Sequence, residues 1–134
     1  MDREILYRGK RVDNDEWAFG DLITSKNKYY IHPKGNSFQV DGVLSRLIVL
    51  HEVKPETVGQ FTGLLDDKGN KIFEGDIVKC KGLSLTYEYV NHEVCYSEDY
   101  AKFVLGGPES DYGFEEYSDV EVLGNIYDNK ELLK

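Results

Sequence analysis

Five side chains in this chain have the chemistry to hold a soft metal or to act as nucleophile and base: His32, His51, His92, Cys80 and Cys95. Their spacing argues against both tasks. There is no paired-cysteine motif of the zinc type. His92 and Cys95 stand three residues apart, which on a strand puts them on opposite faces. That geometry also weakens them as a base and nucleophile, although they are the only local pairing of the kind such catalysis needs. Cys80, on a predicted strand, reads as a small core residue. DDKGNK, starting at Asp66, resembles a calcium loop, but the sixth position that requires glycine falls on Lys71. Gly106-Gly107-Pro108 is followed by acids, the wrong sign for a phosphate cradle. Glu115-Glu116 reads as a solvated loop face rather than a glycosidase pair. The expectation is a protein without catalytic residues, metal or cofactor.

One acid raises the question more sharply. In FEGDIV, residues 73–78, a glycine and an aspartate directly precede a β-branched run. Glycine accepts a positive φ without steric cost, and the following carboxylate can accept nearby backbone amides. Gly75 and Asp76 are therefore expected to build a turn. The arrangement is echoed: GKRVDNDEWAFGDLI at 9–23 parallels GLLDDKGNKIFEGDIV at 63–78, at an offset of 54 to 55 residues. Gly20 and Asp21 are assigned the same turn role. Either two related hairpins occur, one in each half, or Gly-Asp before a strand is simply common turn chemistry.

Charge is distributed unevenly. The net charge is −9. The window Gly82 to Leu123 holds ten acids and one base, Lys102, which leaves fifteen acids and fifteen bases elsewhere. Six of the ten tyrosines lie in that same acidic third. Such a surface repels phosphate backbones and attracts basic partners, besides keeping the protein in solution. Tyrosine supplies rigid amphipathic area and is enriched at interfaces. Tyr87 and Tyr89 are expected to line the core. Tyr112, Phe114, Glu115, Glu116 and Tyr117 are the candidate partner-binding residues. The basic cluster Arg3, Arg8, Lys10 and Arg11 is the only footprint for nucleic acid, and it is small and mixed with acids.

At 134 residues the chain has room for one domain, or two very small ones. The longest uncharged apolar run, Leu47 to Leu50, is too short to cross a membrane. MDREILYRGK has no apolar region of the signal-peptide type, so a cytoplasmic location with both cysteines reduced is expected.

The elements that would position these residues are strands. Breakers recur every eight to twelve residues, and the segments between them are rich in Val, Ile, Tyr, Phe and Thr, the pattern of an antiparallel β protein. Strands are predicted at 5–8, 17–24 and 28–32, with Phe38 to Val40 extended. Arg46 to Val53 is a strand or a short helix, and Pro55 ends it. PETV forms one helical turn. Gln60–Leu65 and Lys71–Phe73 make a hairpin around DDKGN. Strands follow at 76–81, in the alternating GLSLTYEYV, and at 93–96, 102–105 and 120–127. Asn129 then caps a terminal helical turn, KELLK.

Three segments, REILYRGKRVDNDEWAFGDLI, KPETVGQFTGLLDDKGNKIFEGDIVKC and EVLGNIYDNKELL, resemble in content and order the YopX family of small phage and prophage proteins. The resemblance spans Arg3 to Leu133. Only the acidic stretch from Lys81 to Asp119 lacks an alignable motif, and Lys130 stands where the family more usually has proline. The resemblance implies a mainly β fold with little helix, an SH3-type barrel in the C-terminal half, and self-association. It implies no reaction. Together with the residue patterns it predicts a strand-rich part at 1–54 and a barrel at 55–134. The leading functional expectation is a non-enzymatic binding or assembly module of phage origin. Its acidic tyrosine-bearing surface would meet a host or phage protein, with nucleic acid unlikely as a partner. Two alternatives remain open: a nucleic-acid-binding module using the basic N-terminus, and an enzyme with a site between the two parts.

Overall fold

The computed structural model describes residues 3–34, 49–82, 89–107 and 109–133. It is mainly β and antiparallel throughout. The chain divides into two compact units, Met1–Gln60 and Phe61–Lys134. The expected boundary at 54/55 lies six residues earlier. Pro55 breaks the strand before it, but only a single 3-10 turn, Pro55–Thr57, follows before pairing resumes. The Thr57 hydroxyl donates to the Lys54 carbonyl (2.6 Å) and accepts the Lys10 amide (2.8 Å), so this turn is tied to the first strand.

The first unit contains β1 (Tyr7–Lys10), β2 (Trp17–Ser25), β3 (Lys28–Pro33), β4 (His51–Val53) and the first two residues of β5 (Gly59–Leu65). Neighbours pair in the order β4-β3-β2-β1-β5. Lys26 and Asn27, at φ of 50° and 65°, make the two-residue β2–β3 turn, whose handedness matches the strand twist. Ala18, Ile31 and Val53 form the buried centre, with Tyr7, Leu22, Tyr29 and Val58 against it. The first strand begins at Tyr7 rather than Ile5, because pairing with β2 starts there. Of the ambiguous 46–53 run, His51–Val53 is a strand. Residues 46–48, like Phe38–Val40 and the alternating stretch at 83–88 that includes Tyr87, lie outside the described residues.

The second unit takes up β5 from Phe61 onward. It adds β6 (Lys71–Phe73), β7 (Asp76–Gly82), β8 (Tyr89–Ser97), β9 (Lys102–Leu105) and β10 (Tyr117–Asn125). A four-stranded sheet runs β10-β7-β8-β9, and among the described pairings it does not close on itself. Ile72, Val78, Cys80, Val94 and Leu105 form the core, with Phe114, Tyr117, Val120 and Val122 packed on it. Short 3-10 turns cover Phe114–Glu116 and Lys130–Leu133. Asn129 precedes the terminal turn, but its side chain points back: its Oδ1 accepts the Asn125 amide (3.3 Å). The last strand starts and ends earlier than the expected 120–127. Two irregularities in its register with β7 absorb residues that break the β-branched pattern, one of them at Asp119 with φ 54°.

Two expectations are overturned here. Tyr89 does not line the core but is 52% exposed. Its hydroxyl donates to Asp119 (3.0 Å), and the ammonium groups of Lys79 and Lys81 lie over its ring at 5.3 and 6.0 Å, on the wet face of the sheet. Gly20 and Asp21 do not form a turn; they lie inside β2. A Cβ on Gly20 would fall 2.0 Å from the His32 carbonyl oxygen, so glycine there permits close approach of β3. Asp21 is exposed and ion-paired with Lys34 (2.6 Å). Gly75 and Asp76 differ: Gly75 has φ 92° in the two-residue connection between β6 and β7. Asp76 is buried, and its Oδ2 accepts the Phe73 amide (2.7 Å) across that turn.

Candidate protein-interaction site

A concavity of about 660 Å³ opens on the second unit. His92 of β8, Leu105 at the end of β9 and Tyr117 at the start of β10 form its walls, and Gly106, Gly107 and residues 109–112 form its rim. The rim is held by the backbone. The Leu105 amide donates to the Tyr112 carbonyl (2.9 Å) and the Gly106 amide to the Glu93 carbonyl (3.0 Å). Gly106 and Gly107 take φ of 100° and 123°, which few other residues tolerate. The Ser110 Oγ accepts the Tyr112 amide (3.1 Å), a turn that sets where the Tyr112 ring emerges.

The electrostatics of the cavity are one-sided. Glu109 and Asp111 are its charged residues, and no Lys or Arg lines it. Among the described residues neither carboxylate makes an ion pair. The His92 ring packs against Tyr117 with centroids 5.1 Å apart, and burial lowers its pKa, so the imidazole is neutral at neutral pH. Burial raises the Tyr117 phenol, which stays protonated. The lining is therefore rich in oxygen and imidazole acceptors and in aromatic faces. It suits a cation or a multiple hydrogen-bond donor.

The cysteines are not poised as nucleophiles. Burial pushes Cys80 up to about 11 and Cys95 to about 12, and the Cys95 thiol donates to Glu93 Oε2 (3.2 Å). Neither is a thiolate near neutrality. Glu93 and Cys95 share one strand face, leaving His92 on the other with Tyr117. Among the described residues no three His, Cys, Asp or Glu side chains stand together as metal ligands.

Of the residues singled out from sequence, the structure brings Tyr112 and Tyr117 to the concavity. Tyr112 is 57% exposed; Tyr117 is half-buried against the core. Phe114, in the adjoining 3-10 turn, is also half-buried against that core. Glu115 and Glu116 are exposed but outside the lining. Glu115 pairs with Lys102 (3.2 Å), and its own backbone amide together with Lys102 holds its carboxyl below the usual range. Gly20, Asp21, Gly75 and Asp76 are scaffold residues elsewhere. Seven lining residues were not among the partner-binding candidates: His92, Leu105, Gly106, Gly107, Glu109, Ser110 and Asp111. Glu109 and Asp111 carried a usable signal, two acids in a glycine-rich loop beside an aromatic. His92 stood out only as a metal ligand or base, and its place here depends on Tyr117, which the fold brings to it.

Several basic residues of the first unit are engaged within it. Arg8 is buried with its guanidinium 4.6 Å from the Trp17 ring, and Lys10 reaches the same ring at 5.6 Å. Arg11 pairs with Asp13 (2.7 Å), and Lys54 with Asp15.

Comparison with known proteins agrees with this architecture. The family described as YopX protein matches residues 6–134, nearly the whole chain. No curated protein matches it. Among solved structures, the crystal structure of protein EF1440 from Enterococcus faecalis superposes with a TM-score of 0.59 at 22% identity. The match covers 98% of this chain and 99% of that one, and it is a likeness of fold.

Proposed function

The chain belongs to the YopX family, and from that premise we propose that it is a non-enzymatic binding or assembly module of phage or prophage origin. It acts through the acidic, tyrosine-bearing surface of its second unit, and its partner is a protein with a basic face. The observation that carries this reading is the concavity itself, a pocket of ligand-binding size walled by aromatics and unpaired carboxylates. The SH3-type character of the second unit belongs to the same proposal. A β5–β6 hairpin and a four-stranded sheet that share one core support it. Self-association and a cytoplasmic location in a bacterial host complete it.

A salt series tests the reading. A Lys/Arg-rich peptide and a random single-stranded oligonucleotide are titrated against the whole protein at low and at physiological ionic strength. The peptide is expected to bind and to weaken with salt, and the oligonucleotide to stay free. Oligonucleotide binding without peptide binding would reverse the assignment in favour of the basic N-terminus. Light scattering after size exclusion checks self-association, with a monomer at all concentrations counting against it.

A further inference from the structure

We propose that the concavity on the second unit is a socket for one arginine side chain carried on an extended segment of the basic partner. The inference rests on the binding reading above and gives that surface a specific ligand chemistry.

Size, charge and shape converge on this ligand. A volume of about 660 Å³ exceeds a single side chain and suits a short peptide segment rather than a folded surface. Glu109 and Asp111 line it, and among the described residues no cation neutralises them. The sole base of the acidic stretch, Lys102, is committed to Glu115 outside the lining. Anionic ligands would meet two carboxylates. A cation would meet two acids, a neutral imidazole and the rings of Tyr112 and Tyr117.

Among cations, arginine fits best. Its guanidinium is planar, stacks on aromatic rings and offers forked donors to carboxylates; a lysine ammonium offers one compact charge. The rim favours that planarity. Tyr112 is exposed, and its backbone is held by the Leu105 amide and the Ser110 hydroxyl, so little main-chain order has to be gained on binding. Both glycines before the acids keep that side of the rim low: a Cβ on Gly107 would point into open space, and one on Gly106 would sit 3.6 Å from His92 Nδ1.

The test uses blocked glycine-flanked peptides with a central arginine, lysine or citrulline, followed by NMR chemical shifts on the whole protein. Citrulline keeps the planar shape and removes the charge. The arginine peptide is expected to move the His92, Ser110 and Tyr112 resonances, the lysine peptide to bind more weakly, and the citrulline peptide not to bind. Tyr112→Ala should weaken the arginine peptide about fivefold, and Glu109→Gln with Asp111→Asn about tenfold. Tyr112→Phe should bind as wild type. Glu98→Gln, in the β8–β9 turn away from the lining, should change nothing.

Equal binding of arginine and citrulline peptides, or no effect of the rim variants, would overturn the proposal. The Lys/Arg-rich peptide separates the two levels. Undiminished binding of that longer peptide to the rim variants sinks the socket and leaves the acidic-surface reading standing. Its failure to bind at low ionic strength sinks both.

Discussion

Two stretches of the second unit are composed of similar residues, DDKGN at 66–70 and GGPESDYG at 106–113, and the fold uses them in opposite ways. In the first, Asp66 is buried and its charge is consumed. One carboxylate oxygen accepts the amides of Lys68 (2.9 Å) and Asn70 (2.8 Å). The other accepts the Asn70 side-chain amide (3.1 Å) and the Val122 amide of β10 (2.9 Å). The Asp67 amide donates to the Val120 carbonyl (3.0 Å), so the whole hairpin tip is sewn to the last strand. In the second stretch, Glu109 and Asp111 have no partner among the described residues and look into a concavity. Composition does not distinguish an acid that holds a fold from an acid that waits for a ligand. The count of hydrogen bonds already made does.

The largest effect should come from breaking the first of these. Asp66→Asn preserves shape but replaces one oxygen with an NH2 group. Whichever way the amide turns, a donor faces donors: the Lys68 and Asn70 amides on one side, or the Val122 and Asn70 amides on the other. A loss of about 3 kcal/mol is expected in urea unfolding, with no change in peptide binding for the protein that remains folded. The pH dependence follows from the sign of the shift. Burial alone would raise the Asp66 pKa, but its hydrogen bonds outweigh burial and hold it below the ordinary 3.8. Its contribution is therefore present above pH 3.8 and is lost as pH falls through the lower native value. The wild-type protein should lose stability in that acid window, and Asp66→Asn should show a shallower loss.

The two Gly-Asp pairs extend the comparison to glycine. Gly20→Ala drives a methyl into the His32 carbonyl at 2.0 Å and must push β3 away, costing more than about 2 kcal/mol. Gly75→Ala forces an L residue to φ 92° in a turn, for about 1–2 kcal/mol of backbone strain. Similar costs for both would show that FGDLI and FEGDIV share a conformation after all.

These glycines also show what could be read before the fold was known. The β5–β6 hairpin and the Pro55 turn were legible because their determinants lie within a few consecutive residues. The spacing of breakers between β-rich segments carried the mainly β architecture, and the family resemblance agreed with it. Gly20-Asp21 was misread because its role is set by Pro33 and His32 across the sheet, which no local pattern records. Tyr89 was misread for a related reason: an alternating stretch shows that two faces differ, and the packing of other strands decides which one is covered. The site was half legible. Tyr112 and Tyr117 stood out as aromatics among acids, whereas the pairing of His92 with Tyr117 exists only after β8 and β10 flank β7.

Replacing the rim acids should do little to stability and much to binding. Glu109→Gln with Asp111→Asn removes charges that no partner compensates, so unfolding should shift by less than about 0.5 kcal/mol in either direction. A larger loss would mean that these acids hold the loop, and the contrast with Asp66 would collapse. Thermal unfolding of the double variant beside Asp66→Asn makes the comparison direct.

The smallest effect is a titration, and it probes the same contrast from the wall of the cavity. Burial lowers the His92 pKa below 6.5, so the imidazole should titrate by NMR with a midpoint below that value. A guanidinium seated between His92 and the rim acids would add a positive charge beside the ring and disfavour protonation further. The midpoint should fall again when the arginine peptide is bound, and by linkage the peptide should leave as pH drops through it. The citrulline peptide should leave the midpoint where it was. An upward movement on adding the arginine peptide would place the cation away from His92, and the neutral wall would then be packing for Tyr117 and nothing more.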